Sequence, residues 1–143
     1  MLQLGMHKIW MLLIISLLCS GVNAASQSKA GSVVYFVTPK DGQTVKNPIQ
    51  LSFGLEGMNL VEAGIDDPYS GHHHLLINVD QLPNMNLPIP ADDQHIHFGK
   101  GQDSSVIYLN PGEYTLQLLF ADYLHIPHDK PLISKKISIK VVE

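Results

Sequence analysis

The chain has 143 residues, a formal net charge of −4 and a single cysteine, Cys19. The mild acidic balance, with both signs mixed along the chain, excludes the basic stripe that binds nucleic acid and the polybasic patch that binds membrane surfaces. Cys19 falls in the leader, so neither a disulfide nor a thiolate metal centre, blue copper included, is open to the domain that follows.

Residues 1–24 carry the three-part pattern of a secretory signal peptide: Lys8 as positive charge, an apolar run from Ile9 to Leu18, and small residues ending in Val22-Asn23-Ala24. The apolar run is too short to cross a bilayer core of about 30 Å as a helix. Leu18 before Cys19 is too large for a lipid-modification site. The expectation is cleavage after Ala24, export to the periplasm or beyond, and no stable membrane span afterwards. Residues 25–31 are small and polar and read as a flexible lead-in, and 32–143 as one domain without linker or repeat.

Along that domain, "VVYFVTP" is a first candidate strand. "NPIQLSFGLEG" alternates, with Ile49, Leu51, Phe53 and Leu55 on one face. "HHLLINVD" follows, then the short "HIHF", then "SSVIYLN". "GEYTLQLLFAD" places Tyr114, Leu116, Leu118 and Phe120 together, and "KKISIKVVE" does the same with Ile137, Ile139 and Val141. Turn signals lie between them at Pro39–Gly42, Asp66–Pro68, Asn110–Gly112 and His128–Pro131. No segment after the leader has a sustained 3.6-residue period. The expected fold is all-β, a single immunoglobulin-like antiparallel sandwich of about seven strands.

Of the eight histidines, all but His7 fall in three clusters: "GHHH" at 71–74, "HIH" at 95–97 and "HIPH" at 125–128. Strand phase divides the first. Leu75, Ile77 and Val79 share a face with His73, which goes to the core and bonds backbone there, while His72 and His74 point the other way with Leu76 and Asn78. Ile96 and Phe98 look inward, so His95 and His97 face outward together. Cβ atoms at i and i+2 are about 6.5–7 Å apart and cross-strand partners about 4.5–5.5 Å, which lets imidazoles converge on one ion with bonds of about 2.0–2.1 Å. If the two H-x-H strands are neighbours, His72, His74, His95 and His97 make the site. His125 and His128, placed in the loop of the last hairpin, are further candidate ligands. Asp92, Asp93 and Asp129 stand beside the clusters as carboxylate ligands or acceptors for imidazole N–H groups. A thiol-free imidazole set suits copper or zinc rather than magnesium or calcium. Because neutral imidazole is the ligand, affinity is expected to fall below about pH 6.5. Met58 and Met85 are candidate soft ligands, although their isolated positions read as packing.

The segments "PKDGQTVKNPIQLSFGLEGM", "GHHHLLINVD", "PIPADDQHIHFGKGQ", "PGEYTLQLLFADYLHIPHDKP" and "SKKISIKV" resemble a bacterial domain-of-unknown-function family, number 4399, over about Phe36 to Val142. The resemblance implies a small exported domain whose pattern includes all three histidine clusters. Asn78 departs from it, since an acid is expected there, and this takes away a carboxylate from that position.

Three functions follow. The first is an exported β-sandwich that holds or delivers copper or zinc through its histidines. The second is a non-catalytic Ig-like module that recognises a cell-envelope protein or polymer through the histidines and the Pro/Asp loop 83–94. The third is a His-ligated metalloenzyme with an open position. His95-x-His97 with Pro111-Gly112 resembles the first cupin motif, but no Glu stands at Gly101 or Gln102 and no nucleophile–base pair is recognisable, so an enzyme is the least favoured.

Overall fold

The structure is a computed structural model describing residues 25–143; the leader expected at 1–24 lies outside them. Ten strands follow in order: β1 (Val33–Thr38), β2 (Gln43–Lys46), β3 (Ile49–Glu56), β4 (Asn59–Leu60), β5 (Ser70–Ile77), β6 (His95–Phe98), β7 (Ser104–Ile107), β8 (Gly112–Ala121), β9 (Pro127–Ile133) and β10 (Ile137–Val142). Among the described residues there is no helix, and so none long and apolar enough to cross a membrane.

A sheet ordered β1-β3-β7 packs on a larger one ordered β2-β10-β8-β5-β4, in which β6 also pairs with β5 and β9 with β8. Their facing sides interdigitate. Val34, Phe36, Ile49, Leu51 and Phe53 of the small sheet meet Leu75, Ile77, Phe98, Leu116, Leu118, Phe120, Ile137, Ile139 and Val141 of the large one. The period-2 alternation of β3, β8 and β10 dictates this, because it leaves each strand one apolar face to bury. Each such side chain contributes roughly 1.5–3 kcal/mol when fully buried. Met58 fills the same core and Met85 packs on a second one, so both methionines are packing residues. The expected all-β sandwich is what forms.

Four details differ from expectation. The strands number ten among the described residues, because β2 and β4, only four and two residues long, and β9 carry no apolar alternation to announce them. Two pairings are parallel, β2 with β10 and β4 with β5. The turn expected at His128–Pro131 is instead part of β9, whose register jumps from Leu132 opposite Phe120 to Pro127 opposite Ala121. The intervening residues bulge out, which is how an edge strand accommodates Pro131 and its missing N–H. Residues 25–31, expected as a flexible lead-in, are tied down: Ser26 Oγ donates to Asp122 Oδ2 at 2.7 Å, Ser28 N–H to Asp129 Oδ1 at 2.9 Å, and the Lys29 N–H to Met58 Sδ.

The strand that carries the histidine triplet is buried on both faces along its whole length. It pairs with β8 on one edge and β6 on the other. Its second face, bearing Leu76, is covered by Val79 and Ile89, with Met85 partly buried against them. Val79 therefore does not share the face of Leu75 and Ile77. Asn78 between them takes φ 53°, which turns the chain, and its Oδ1 accepts the Thr115 N–H at 2.8 Å.

Candidate metal centre

Four imidazoles meet on the second face of the large sheet. His72 and His74 are alternate residues of β5 and are essentially inaccessible. His97 of β6 stands directly opposite His74 in the ladder. The β8–β9 loop brings His125 over the end of the strands. Ring centroids are 4.9 Å apart for His72–His74 and His72–His97, 5.1 Å for His74–His97, 5.0 Å for His72–His125, 4.7 Å for His97–His125 and 5.9 Å for His74–His125. Ring nitrogens of His72, His74 and His97 all lie within 4.8 Å of one another, close enough to share one metal ion.

The hydrogen bonds of this cluster do not close. Both ring nitrogens of His72 and Nδ1 of His74 are buried without a protein partner. Leaving a buried polar atom unpaired costs about 1–3 kcal/mol, so three in one cluster is an expensive arrangement, and one bound ion, taking one nitrogen per ring, would relieve two of them. The electrostatics fit a cationic ligand. Burial, followed by the nearby His97 and His125, lowers His72 to a pKa of about 4. Burial and the other three imidazoles lower His74 to about 2. Burial, then His125, lowers His97 as well. His72 and His74 stay neutral, with lone pairs free, well below pH 6.5, and His97 is shifted in the same direction. The onset of proton competition expected there is therefore moved down for His72, His74 and His97. Asp122 is the negative charge that acts on His72.

Local structure shapes the space around the rings. Gly71 lets β5 lie close on β8, where a Cβ would overlap the Ala121 carbonyl oxygen. Gly99, just past β6, leaves the space that the His97 ring fills. His125 takes φ 66°, in the left-handed region that non-glycine residues enter seldom. Its loop is held by Asp122, whose Oδ1 accepts the N–H groups of Leu124 at 2.9 Å and Ile126 at 3.0 Å. The His125 N–H donates to the Asp122 carbonyl, and its own carbonyl accepts the Ile89 N–H, both at 2.9 Å.

The other histidines lie elsewhere. His95 is on the same face as His97 but two pairs further along, opposite Leu76, and its Nδ1 is 2.7 Å from Asp92 Oδ1. His128 is buried with its ring stacked on Phe120 at 5.8 Å, and its Nε2–H donates to the Ser70 carbonyl at 2.9 Å. His73 goes to the core as its phase requires, against Phe53 and Phe120. It makes no backbone bond there, contrary to expectation: neither ring nitrogen has a protein partner, because aromatic rings surround it instead. Asp129 holds the Ser28 N–H, and neither it nor Asp92 joins the four-ring cluster.

The sequence profile described as a domain of unknown function, DUF4399, matches residues 51–142. The chain belongs to this family. No curated protein and no solved structure matches it. The matched DUF4399 region contains all four clustered imidazoles, with Gly71, Gly99 and Asp122 around them. Those last three were not singled out from sequence. "GHHH" and "HFG" put a glycine one or two residues from a ligand-type histidine, and that adjacency was the available signal. Nothing comparable marks Asp122.

Proposed function

We propose that this DUF4399 domain is an exported metal-binding β-sandwich that holds or delivers copper or zinc. The observation that carries the reading is His72: a fully buried imidazole, neutral, with both nitrogens unpartnered, inside a cluster of four. Unpartnered nitrogens alone do not set His72 apart, since His73 in the core has none bonded either; what distinguishes His72 is that three other imidazoles stand within 5.0 Å of its ring. Imidazole donors without thiolate favour zinc or copper over the oxygen-seeking cations. Export rests on the leader of residues 1–24, and a cell-envelope metal carrier or acceptor is the corresponding partner.

The test is isothermal titration of the chain lacking residues 1–24 with Zn2+ and Cu2+, beside a His72→Ala/His74→Ala/His97→Ala variant. Saturable one-site binding by the first and none by the second is the expected result. Equal weak heats for both end the proposal.

A further inference from the structure

The six separations among the four rings carry more than proximity, because they encode a coordination geometry. An imidazole binds along the line from ring centre to nitrogen. With a metal–nitrogen bond of about 2.0–2.1 Å, each ring centre therefore sits about 3.2 Å from the ion. Four such centres at the corners of a tetrahedron are all about 5.2 Å apart, whereas a square-planar set has four separations near 4.5 Å and two near 6.4 Å. Five of the observed distances fall between 4.7 and 5.1 Å, and the sixth is 5.9 Å. If His74 and His125 were the trans pair of a square, His72 and His97 would have to be the other, yet their rings are 4.9 Å apart. The ring centres are spaced as in a tetrahedral set and not as in a square one.

We infer that His125, whose ring packs on the cluster although its nitrogens fall outside the group formed by those of His72, His74 and His97, turns in as the fourth ligand of a closed, tetrahedral four-imidazole site built for a d10 ion, zinc(II) or copper(I). Copper(II), which favours tetragonal nitrogen coordination, enters it only by distortion. This deepens the metal-binding reading and rests on it. A further observation supports His125 in that role. Its backbone is held in the left-handed region by bonds on both sides, to Asp122 and to Ile89, and strained residues so over-determined concentrate where a side chain must be aimed. With four protein ligands the site would have no open position, the mark of sites that hold an ion rather than activate water on it.

Cobalt(II) reports coordination directly, so the experiment loads the chain lacking residues 1–24 with Co2+ and compares it with His125→Asn. Asparagine tolerates φ near 66° better than most residues, which keeps the loop, and circular dichroism checks the fold of the variant. The expected wild-type spectrum has the intense visible bands of tetrahedral cobalt, and the variant loses much of that intensity. Zn2+ affinity of the variant should fall by at least the roughly tenfold to hundredfold that loss of an orienting partner alone costs. Parallel titrations with Zn2+ and, anaerobically against a chelator, with Cu+ identify which d10 ion is held more tightly. Pale, six-coordinate cobalt in the wild type, or unchanged Zn2+ affinity in a folded His125→Asn, overturns the tetrahedral site while leaving three-histidine binding standing. Failure of Zn2+, Cu2+, Cu+ and Co2+ alike to bind overturns both.

Discussion

His74 and His97 stand directly opposite one another in the β5–β6 ladder, their rings 5.1 Å apart and inclined at 33°. This pairing joins two histidine clusters into one site. It also fixes what a change at His74 does. Leucine at 74 fills similar space and removes a buried nitrogen that has no partner. His74→Leu should therefore leave the metal-free protein as stable as wild type, or more stable by up to the roughly 1–3 kcal/mol that an unpaired buried group costs. Zn2+ at about a hundred times its Kd should raise wild-type stability by about 2.7 kcal/mol and the variant by nothing. Denaturant melts with and without chelator measure both. A wild type indifferent to metal would sink the prediction.

Stability of the metal-free protein should fall as pH drops. The unfolded chain takes up protons on His72, His73 and His74 as pH passes below 6.5, their ordinary value, while folded His72 and His73 do so only near 4 and folded His74 near 2. Protons thus bind the unfolded state preferentially in that window. The stabilising contribution is complete above 6.5, declines through pH 4, and continues to decline below it on account of His74. For His73, buried and in none of the proposed metal contacts, the shift to about 4 corresponds to on the order of 3 kcal/mol. Urea titrations from pH 7.5 to 4 should show this slope, and His73→Leu should flatten it. A pH-independent midpoint would show that these rings are not held neutral.

Gly99→Ala should injure binding more than folding. The added methyl overlaps the His97 ring, which is exposed and free to swing away, whereas the backbone around it has no need to move. Zn2+ affinity should drop about tenfold, a typical cost of disturbing a ligand's support, with the melting temperature of the metal-free protein nearly unchanged. Gly71→Ala makes the opposite case, since its methyl meets the Ala121 carbonyl and Phe120 and should destabilise the fold itself. If the two variants behave alike, the division between site space and strand packing is wrong.

Much of this was readable from the sequence, for a definite reason. Strand phase is set by a period of two, so "HHHLLI" alone sends His73 one way and His72 and His74 the other, and "HIHF" pairs His95 with His97 on one face. Register is not local. Whether His95 or His97 faces His74 depends on a two-residue choice of register in the ladder, and the bond from His95 to Asp92 lies just outside the paired residues. Loop geometry is less local still. His125 and His128 looked equivalent, yet the Asp122 turn aims one at the cluster while the β9 bulge lays the other on Phe120. The fold followed from alternation in β3, β8 and β10, and failed to follow in β2, β4 and β9, which have none.

Asp122 is expected to act through His125. Asp122→Ala deletes the acceptor for the Leu124 and Ile126 N–H groups and for the Ser26 hydroxyl. The stranded donors should cost about 1–3 kcal/mol of stability, and the freed loop should weaken Zn2+ binding. Asparagine retains an acceptor oxygen, so Asp122→Asn should recover much of both. Affinity unchanged in Asp122→Ala would show that the turn does not position the ring.

His95 supplies the sharpest separation between a histidine in the sequence pattern and a histidine in the site. It lies beside His97 in sequence and on the same strand face, but its Nδ1 is taken by Asp92 and its ladder partner is Leu76. His95→Ala should therefore leave Zn2+ affinity and the cobalt spectrum as in wild type, while His97→Ala abolishes the spectrum. Loss of affinity in His95→Ala comparable to that of His97→Ala would mean that metal draws His95 into the cluster, and the ligand set would then have to be His72, His74, His95 and His97, with His125 outside it.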